Sequence, residues 1–92
     1  IATNIVARTT DEQNFTLTFE TAHALSDPQV IVEGKAGSYF EEVSREYTAA
    51  GQEVRFVIKA DLPSKTDRLA DQDIMVTVID GARAVQKRVA VE

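Results

Sequence analysis

A chain of 92 residues is one domain's length, and 43% hydrophobic with 27% charged residues is the composition of a globular domain, not a disordered one. Ten Lys and Arg against fifteen Asp and Glu leave a net charge of -5, which disfavours non-specific nucleic-acid binding and polybasic attachment to anionic lipid. There is no Cys, so disulfides, iron–sulfur clusters and thiolate zinc sites are excluded within this stretch; no apolar run exceeds three residues, so no transmembrane helix or signal-peptide core fits it.

Taken in chain order, the dominant signal has a period of two. Asn4 to Thr9 is a weak strand, followed by a polar, turn-like Asp11 to Asn14. Phe15, Leu17 and Phe19 then alternate with Thr16, Thr18 and Glu20, and because Thr is β-branched both faces suit a pleated strand. Ser26-Asp27-Pro28 starts a turn, since proline pushes the residue before it out of the helical region. Gln29 to Glu33 is a second weak strand, and the segment from Glu33 to Ser38 carries Gly34 and Gly37.

Residues 38–50 admit two readings. As a helix, Ser38 caps it, Glu41 completes a capping box, Phe40, Val43, Tyr47 and Ala50 share a face, and Gly51 terminates it. As strands, the string "YTAAGQEVRFVIKA" reads strand, glycine turn, strand, in keeping with the segments around it. The clearest strand follows, Glu53 to Ala60, with Val54, Phe56, Ile58 and Ala60 on one face. Asp73 to Ile79 is apolar on both faces, which marks a central strand. Asp80-Gly81 is the strongest hairpin signal in the chain and leads to Ala84 to Val91, with Val85, Val89 and Val91 inward and the Lys87 stem running along the sheet edge.

Six or seven short strands with a turn every 8 to 12 residues predict an all-β, immunoglobulin-like antiparallel sandwich of about seven strands; the alternative is an α+β domain with one helix near 38–50. Its expected core is Ile5, Phe15, Leu17, Phe19, Val30, Val32, Val54, Phe56, Ile58, Ile74, Val76, Val78, Val89 and Val91. The sequence starts at Ile1 without Met and stops on a strand-like segment, so residues 1–92 read as a single domain excised from a longer protein or as a processed chain.

Candidate chemistry is sparse. His23 stands between two alanines in a loop, with no partner at metal-ligand or catalytic spacing. Asp67, Asp71 and Asp73 occupy the loop before the sixth strand, with Asp61 and Asp80 expected nearby. Calcium needs six to eight oxygen ligands, and "DRLADQD" lacks the spacing of an EF-hand, so these read as solvated loop acids. Glu41, Glu42 and Glu46 have no groove in which to act as a glycosidase pair. Ser38, Ser44 and Ser64 lack a nucleophile-elbow setting, and Gly34 and Gly37 do not make a phosphate loop. "NFT" at Asn14 matches a glycosylation sequon by letter only. Tyr39, Phe40 and Tyr47 are the one aromatic cluster outside the obvious core strands: they cap a sandwich edge or, if exposed, form a partner contact. The expectation is therefore no catalytic, cofactor-binding or metal residue, no cofactor and no enzymatic activity.

The succession "NFTLTFE", "DPQVIVEG", "EYTAAGQEVRFVIKADLP" and "DRLADQDIMVTVID" resembles the C-terminal immunoglobulin-like domain of FixG-type proteins, the cytochrome c oxidase accessory proteins. The resemblance spans about Ile5 to Asp80, including a long alternating strand ending at Pro63 and a last strand closing on Asp80. It implies a soluble appendage of a bacterial membrane protein that carries ferredoxin-like iron–sulfur centres and is linked to copper handling and cbb-type oxidase assembly. That redox chemistry resides in Cys motifs and membrane helices this stretch lacks, so no functional residue carries over. The expected role is a non-catalytic interaction or structural module, periplasmic or otherwise extracytoplasmic. It would contact a protein partner or its own parent chain, without nucleic acid and without inserting into the membrane. The same glycine-turn rhythm occurs in fibronectin-type and adhesin modules, so the alternative is an extracellular adhesin or surface-stalk domain, with calcium held by the loop acids.

Overall fold

The period-two pattern becomes seven strands in the computed structural model, which describes residues 3–21, 27–47 and 53–92. They are β1 (Thr3–Thr9), β2 (Asn14–Glu20), β3 (Gln29–Glu33), β4 (Tyr39–Tyr47), β5 (Glu53–Asp61), β6 (Asp73–Asp80) and β7 (Arg83–Ala90), with one 3-10 turn at Leu69–Asp71. Two antiparallel sheets result, in the orders β1-β2-β5-β4 and β3-β6-β7. These are the strand orders of a constant-type immunoglobulin sandwich. The fold is all-β, as the sequence pattern predicts.

The helix alternative near 38–50 is not adopted, because Tyr39 to Tyr47 is strand β4, paired along β5 from Tyr39 opposite Asp61 to Tyr47 opposite Val54. Long-range pairing overrides the local capping signal at Ser38. As a strand, the segment satisfies the free edge of β5 and turns Phe40 inward, where it meets Phe15 edge-on with ring centroids 6.2 Å apart. The expected glycine turn at Gly51 and the loop holding His23 lie outside the described residues.

The core lies where the two inner faces meet. Across β2 and β5, Phe15 stands opposite Ile58, Leu17 opposite Phe56 and Phe19 opposite Val54. All six are buried, and Phe19 and Phe56 stack at 5.8 Å. The second sheet contributes Ile74, Val76, Val78 and Val89. Val30, Val32 and Val85 are only partly buried because β3 and β7 are edge strands. Three core members go beyond the expected set: Ala7, Ala60 and Leu69. Leu69 sits in the 3-10 turn and is buried, a position that carries no strand periodicity. Lys87 is exposed opposite Val76, as its long stem allows.

Two turns follow from local chemistry. Gly81 has φ +63 at the first of two linking residues between Asp80 and Arg83, the position where a II′ hairpin turn needs glycine. Between β1 and β2, one Asp11 carboxylate oxygen accepts from the backbone N–H of Gln13 and of Asn14, both at 2.8 Å. That turn also occupies the Asn14 amide, which donates to both Asp11 oxygens at 3.0 Å.

The last strand ends one residue earlier than its pattern suggests. After Ala90 the chain crosses to the other sheet: Val91 bridges Ala7 in parallel, Thr9 N donates to Glu92 O at 2.8 Å, and Glu92 N donates to Ala7 O at 2.9 Å. Val91 is buried by this switch.

Removing the ring of Phe56 deletes a buried aromatic from the centre of the core, and Phe56→Ala should lower unfolding free energy by about 3–5 kcal/mol. Val43→Ala, at a side chain 59% exposed, should change it by less than about 0.5 kcal/mol. Urea denaturation of the two variants against wild type checks the contrast.

Candidate functional site

With both inner faces filled by hydrocarbon, polar chemistry is left to the strand edges, the outer faces and the loop ends. The side of the sandwich bounded by β3 and β4 is organised around Arg45. Strand β4 aims this guanidinium inward, 4.9 Å from the Phe56 ring centroid. It donates to Pro28 O at 3.0 Å, to Glu42 Oε1 at 2.8 Å from Nη2 and to Glu42 Oε2 at 3.1 Å from Nε. It also donates to the Tyr47 hydroxyl at 3.3 Å and lies 3.5 Å from Asp27. The Glu42 hydrogen bonds first, and then that of Tyr47, raise the Arg45 pKa above its ordinary value. A fixed, always-charged plug thus ties β4 to the residue before β3 and shields the edge of an aromatic core.

Tyr39, Phe40 and Tyr47 do not form one patch. Tyr39 is 72% exposed at one end of β4, Tyr47 is 43% exposed at the other, and Phe40 points into the core between them. Along eight residues of strand the two tyrosines are separated by roughly 26 Å. Strict alternation is broken by a bulge at Val43, where the β4–β5 register shifts between Glu42 and Ser44. Glu41 and Glu46 lie opposite Lys59 and Arg55, whereas Glu42 lies opposite the buried Ile58 and takes Arg45. Glu41 and Glu46 therefore share one face of β4 and Glu42 points to the other, so the three carboxylates do not converge.

The loop end of the sandwich brings the β1–β2 turn and residues 60–70 around an open groove, with the β3–β4 connection packed against that loop at Asp67 and Pro63. Thr9, Asp11, Gln13, Leu62, Lys65 and Arg68 are among its walls. Its organising contact is the Asp67 carboxylate, which takes the Lys35 ammonium and the Ser64 backbone N–H at 3.0 Å. Ser64 in turn closes its own turn through Thr66, 2.9 Å between hydroxyls. Gly37, at φ +87, brings the β3–β4 loop against Pro63, where an added Cβ would sit 3.0 Å from the proline Cβ. The Lys35 hydrogen bond first, with the Ser64 N–H, lowers the Asp67 pKa; hydrogen bonds from Gln13 and then Asn14 lower that of Asp11.

The expected gathering of Asp61, Asp67, Asp71, Asp73 and Asp80 is not what the fold makes. Asp80 closes the β6–β7 hairpin, some 23 Å of strand away from Asp73 at the loop end. Asp71 lies 3.8 Å from Arg68, and Asp67 is already held by Lys35. Among the described residues no group of three or more His, Cys, Asp or Glu side chains converges as metal ligands would. Ser44 is exposed on β4 and Ser64 is spent on its turn. Sequence reasoning passed over Arg45 and took Asp67 only for a solvated loop acid. Arg45 in "SREY" and Asp67 in "KTDR" look like solvated charges until their partners, distant in the chain, arrive.

Both aspartates have folded pKa values below their unfolded value of about 3.9, so each contributes stability above that pH. The contribution is lost as pH falls through about 4 and below. Asp67→Asn should therefore lower Tm at pH 7 while flattening the loss of Tm between pH 5 and pH 2, read by thermal melts of both chains across that range.

No match to this chain was found among curated proteins or among solved structures. A family model does match, over residues 2–92, under the description "Domain of unknown function (DUF8393)". The chain belongs to that family.

Proposed function

We propose that this domain is a non-catalytic interaction or structural module of a larger bacterial membrane protein, of the kind that FixG-type accessory proteins carry at their C-terminal end. One observation supports it most: the central strands β2, β5 and β6 spend their inner faces on packing, with Phe15, Phe19, Phe56, Val76 and Val78 all 0–1% exposed. Contacts with a partner or with the parent chain then fall on the outer faces and edges. Among the described residues no helix is long and apolar enough to cross a membrane, in keeping with a role beside the membrane and, on the resemblance, in an extracytoplasmic space. Deleting the domain from its parent should abolish recovery of the partner in copurification and impair cbb-type oxidase assembly. Unchanged oxidase assembly would overturn this function.

A second reading is an adhesin or surface-stalk domain, for which an elongated body 40 Å long and 23 Å wide is suited. In its calcium-stabilised form, saturating calcium at about 100 times Kd adds roughly 2.7 kcal/mol. That is a Tm increase of about 10 °C or more for a domain this size. An unchanged Tm with calcium and with chelator removes that form.

A further inference from the structure

A seven-strand sandwich has four edge strands, and three of these are blocked. Strand β1 is paired at Ala7 to Thr9 by Val91 and Glu92 and is irregular between Thr3 and Val6, and β7 carries the cations Arg83, Lys87 and Arg88. Strand β4 carries a bulge at Val43 and the acids Glu41, Glu42 and Glu46, which are standard protections against strand addition. Strand β3 has no bulge and a single acid, Glu33, at its end. Gln29 to Glu33 is a regular five-residue strand in unbroken register with β6, with no proline, lysine or bulge inside it. Its alternate peptide groups point away from β6. Among the described residues no backbone bond reaches them from elsewhere. Pro28 O, just before the strand, is taken by Arg45, so the open stretch is Gln29 to Glu33 itself.

The strand is also symmetric about its middle. Gln-Val-Ile-Val-Glu reads nearly the same in both directions, with Ile31 at the centre and 46% exposed on the outer face. Laid antiparallel on a second copy with Ile31 opposite Ile31, Val30 meets Val32 and Gln29 meets Glu33. The half-buried and outward faces of the two strands coincide, which a one-residue slip would destroy. No like charges are opposed. The same two-fold brings the Asp27 end of each copy toward the Lys35 end of the other, an acid toward a base.

We infer that β3 is a self-association edge: a second copy of this chain adds to it antiparallel, with Ile31 on the two-fold axis, making one six-stranded sheet from two domains. The interface is isologous. Five strand residues bury much less than the roughly 1,600 Å² of a standard interface, so the dimer is weak, with Kd on the order of 0.1–1 mM.

Sedimentation equilibrium tests the association. The wild-type mass should rise above 10.1 kDa as concentration approaches about 1 mM. Ile31→Lys, which places a charge outward without touching the core, should stay monomeric with an unchanged Tm, and Val43→Lys on β4 should associate as wild type does. Oxidation tests the register, since the chain has no Cys of its own. Facing residues on antiparallel strands have Cα atoms about 4.5–5.5 Å apart, within disulfide reach, whereas residues four apart along a strand are about 13 Å away. Ile31→Cys should therefore cross-link to a dimer and Gln29→Cys should not. A wild-type chain that stays monomeric at all concentrations overturns the proposal. So does equal cross-linking of the two Cys variants. Binding of a foreign extended peptide along β3 by a chain that never dimerises would assign the edge to another protein and overturn it as well.

Discussion

The packing of two hydrocarbon faces against each other is the constraint from which the other features follow. Phe15, Leu17 and Phe19 on β2 and Val54, Phe56 and Ile58 on β5 fill one side of the interior, and Ile74, Val76 and Val78 on β6 fill the other. Because side chains alternate, each strand can offer only one face to this layer. That fixes register along β2, β5 and β6 and sends Thr16, Thr18, Arg55 and Lys59 to the outside. It also explains why β4 is a strand. The helix written into residues 38–50 would have left one edge of β5 unpaired and Phe15 without its edge-on contact to Phe40.

A sandwich built this way has an unsolved problem at its sides, where the layers end and backbone groups lie open. One side is closed by backbone hydrogen bonds: Val91 and Glu92 leave the sheet of β7 and pair with β1. The other side is closed by a single side chain. Arg45 reaches across from β4, covers Phe56 and holds Pro28 O. Exposed ion pairs contribute little in isolation, typically below about 1 kcal/mol. The weight of Arg45 comes instead from combining a cation–π contact, a backbone hydrogen bond and a two-pronged carboxylate contact in one place. The bulge at Val43 completes this guard for β4, and β3 is the strand left outside it.

These features leave the polar groups on the surfaces and loop ends. The loop end is stitched by Lys35 to Asp67 and by Asp11 within its own turn, so its acids are occupied in holding loops together. The outer face of β4 pairs Glu41 with Lys59 and Glu46 with Arg55 across strands, a mixed-charge surface of the kind that keeps a domain soluble without drawing partners by net field. What remains distinctive is the difference between two edges: β4 is guarded by Arg45 and its bulge, whereas β3 is a regular strand.

The sequence by itself determined six of the seven strands, β4 excepted, because an alternation of Phe, Leu, Ile and Val with Thr and charged residues has one physical solution on a half-buried sheet. The hairpin at Asp80-Gly81 was equally plain, since its turn geometry demands glycine. Only the tertiary structure decided the rest. Strand or helix at 38–50 depended on β5 being available as a partner, which no local signal encodes. Leu69 became core by filling the end of the sandwich from a turn, outside any periodicity. The roles of Arg45 and Asp67 arise from neighbours 17 and 32 residues away, and the separation of Tyr39 from Tyr47, like that of Asp73 from Asp80, is simply the length of a strand. Local propensity writes which face a residue takes; which other residue it meets there is settled when the two sheets close.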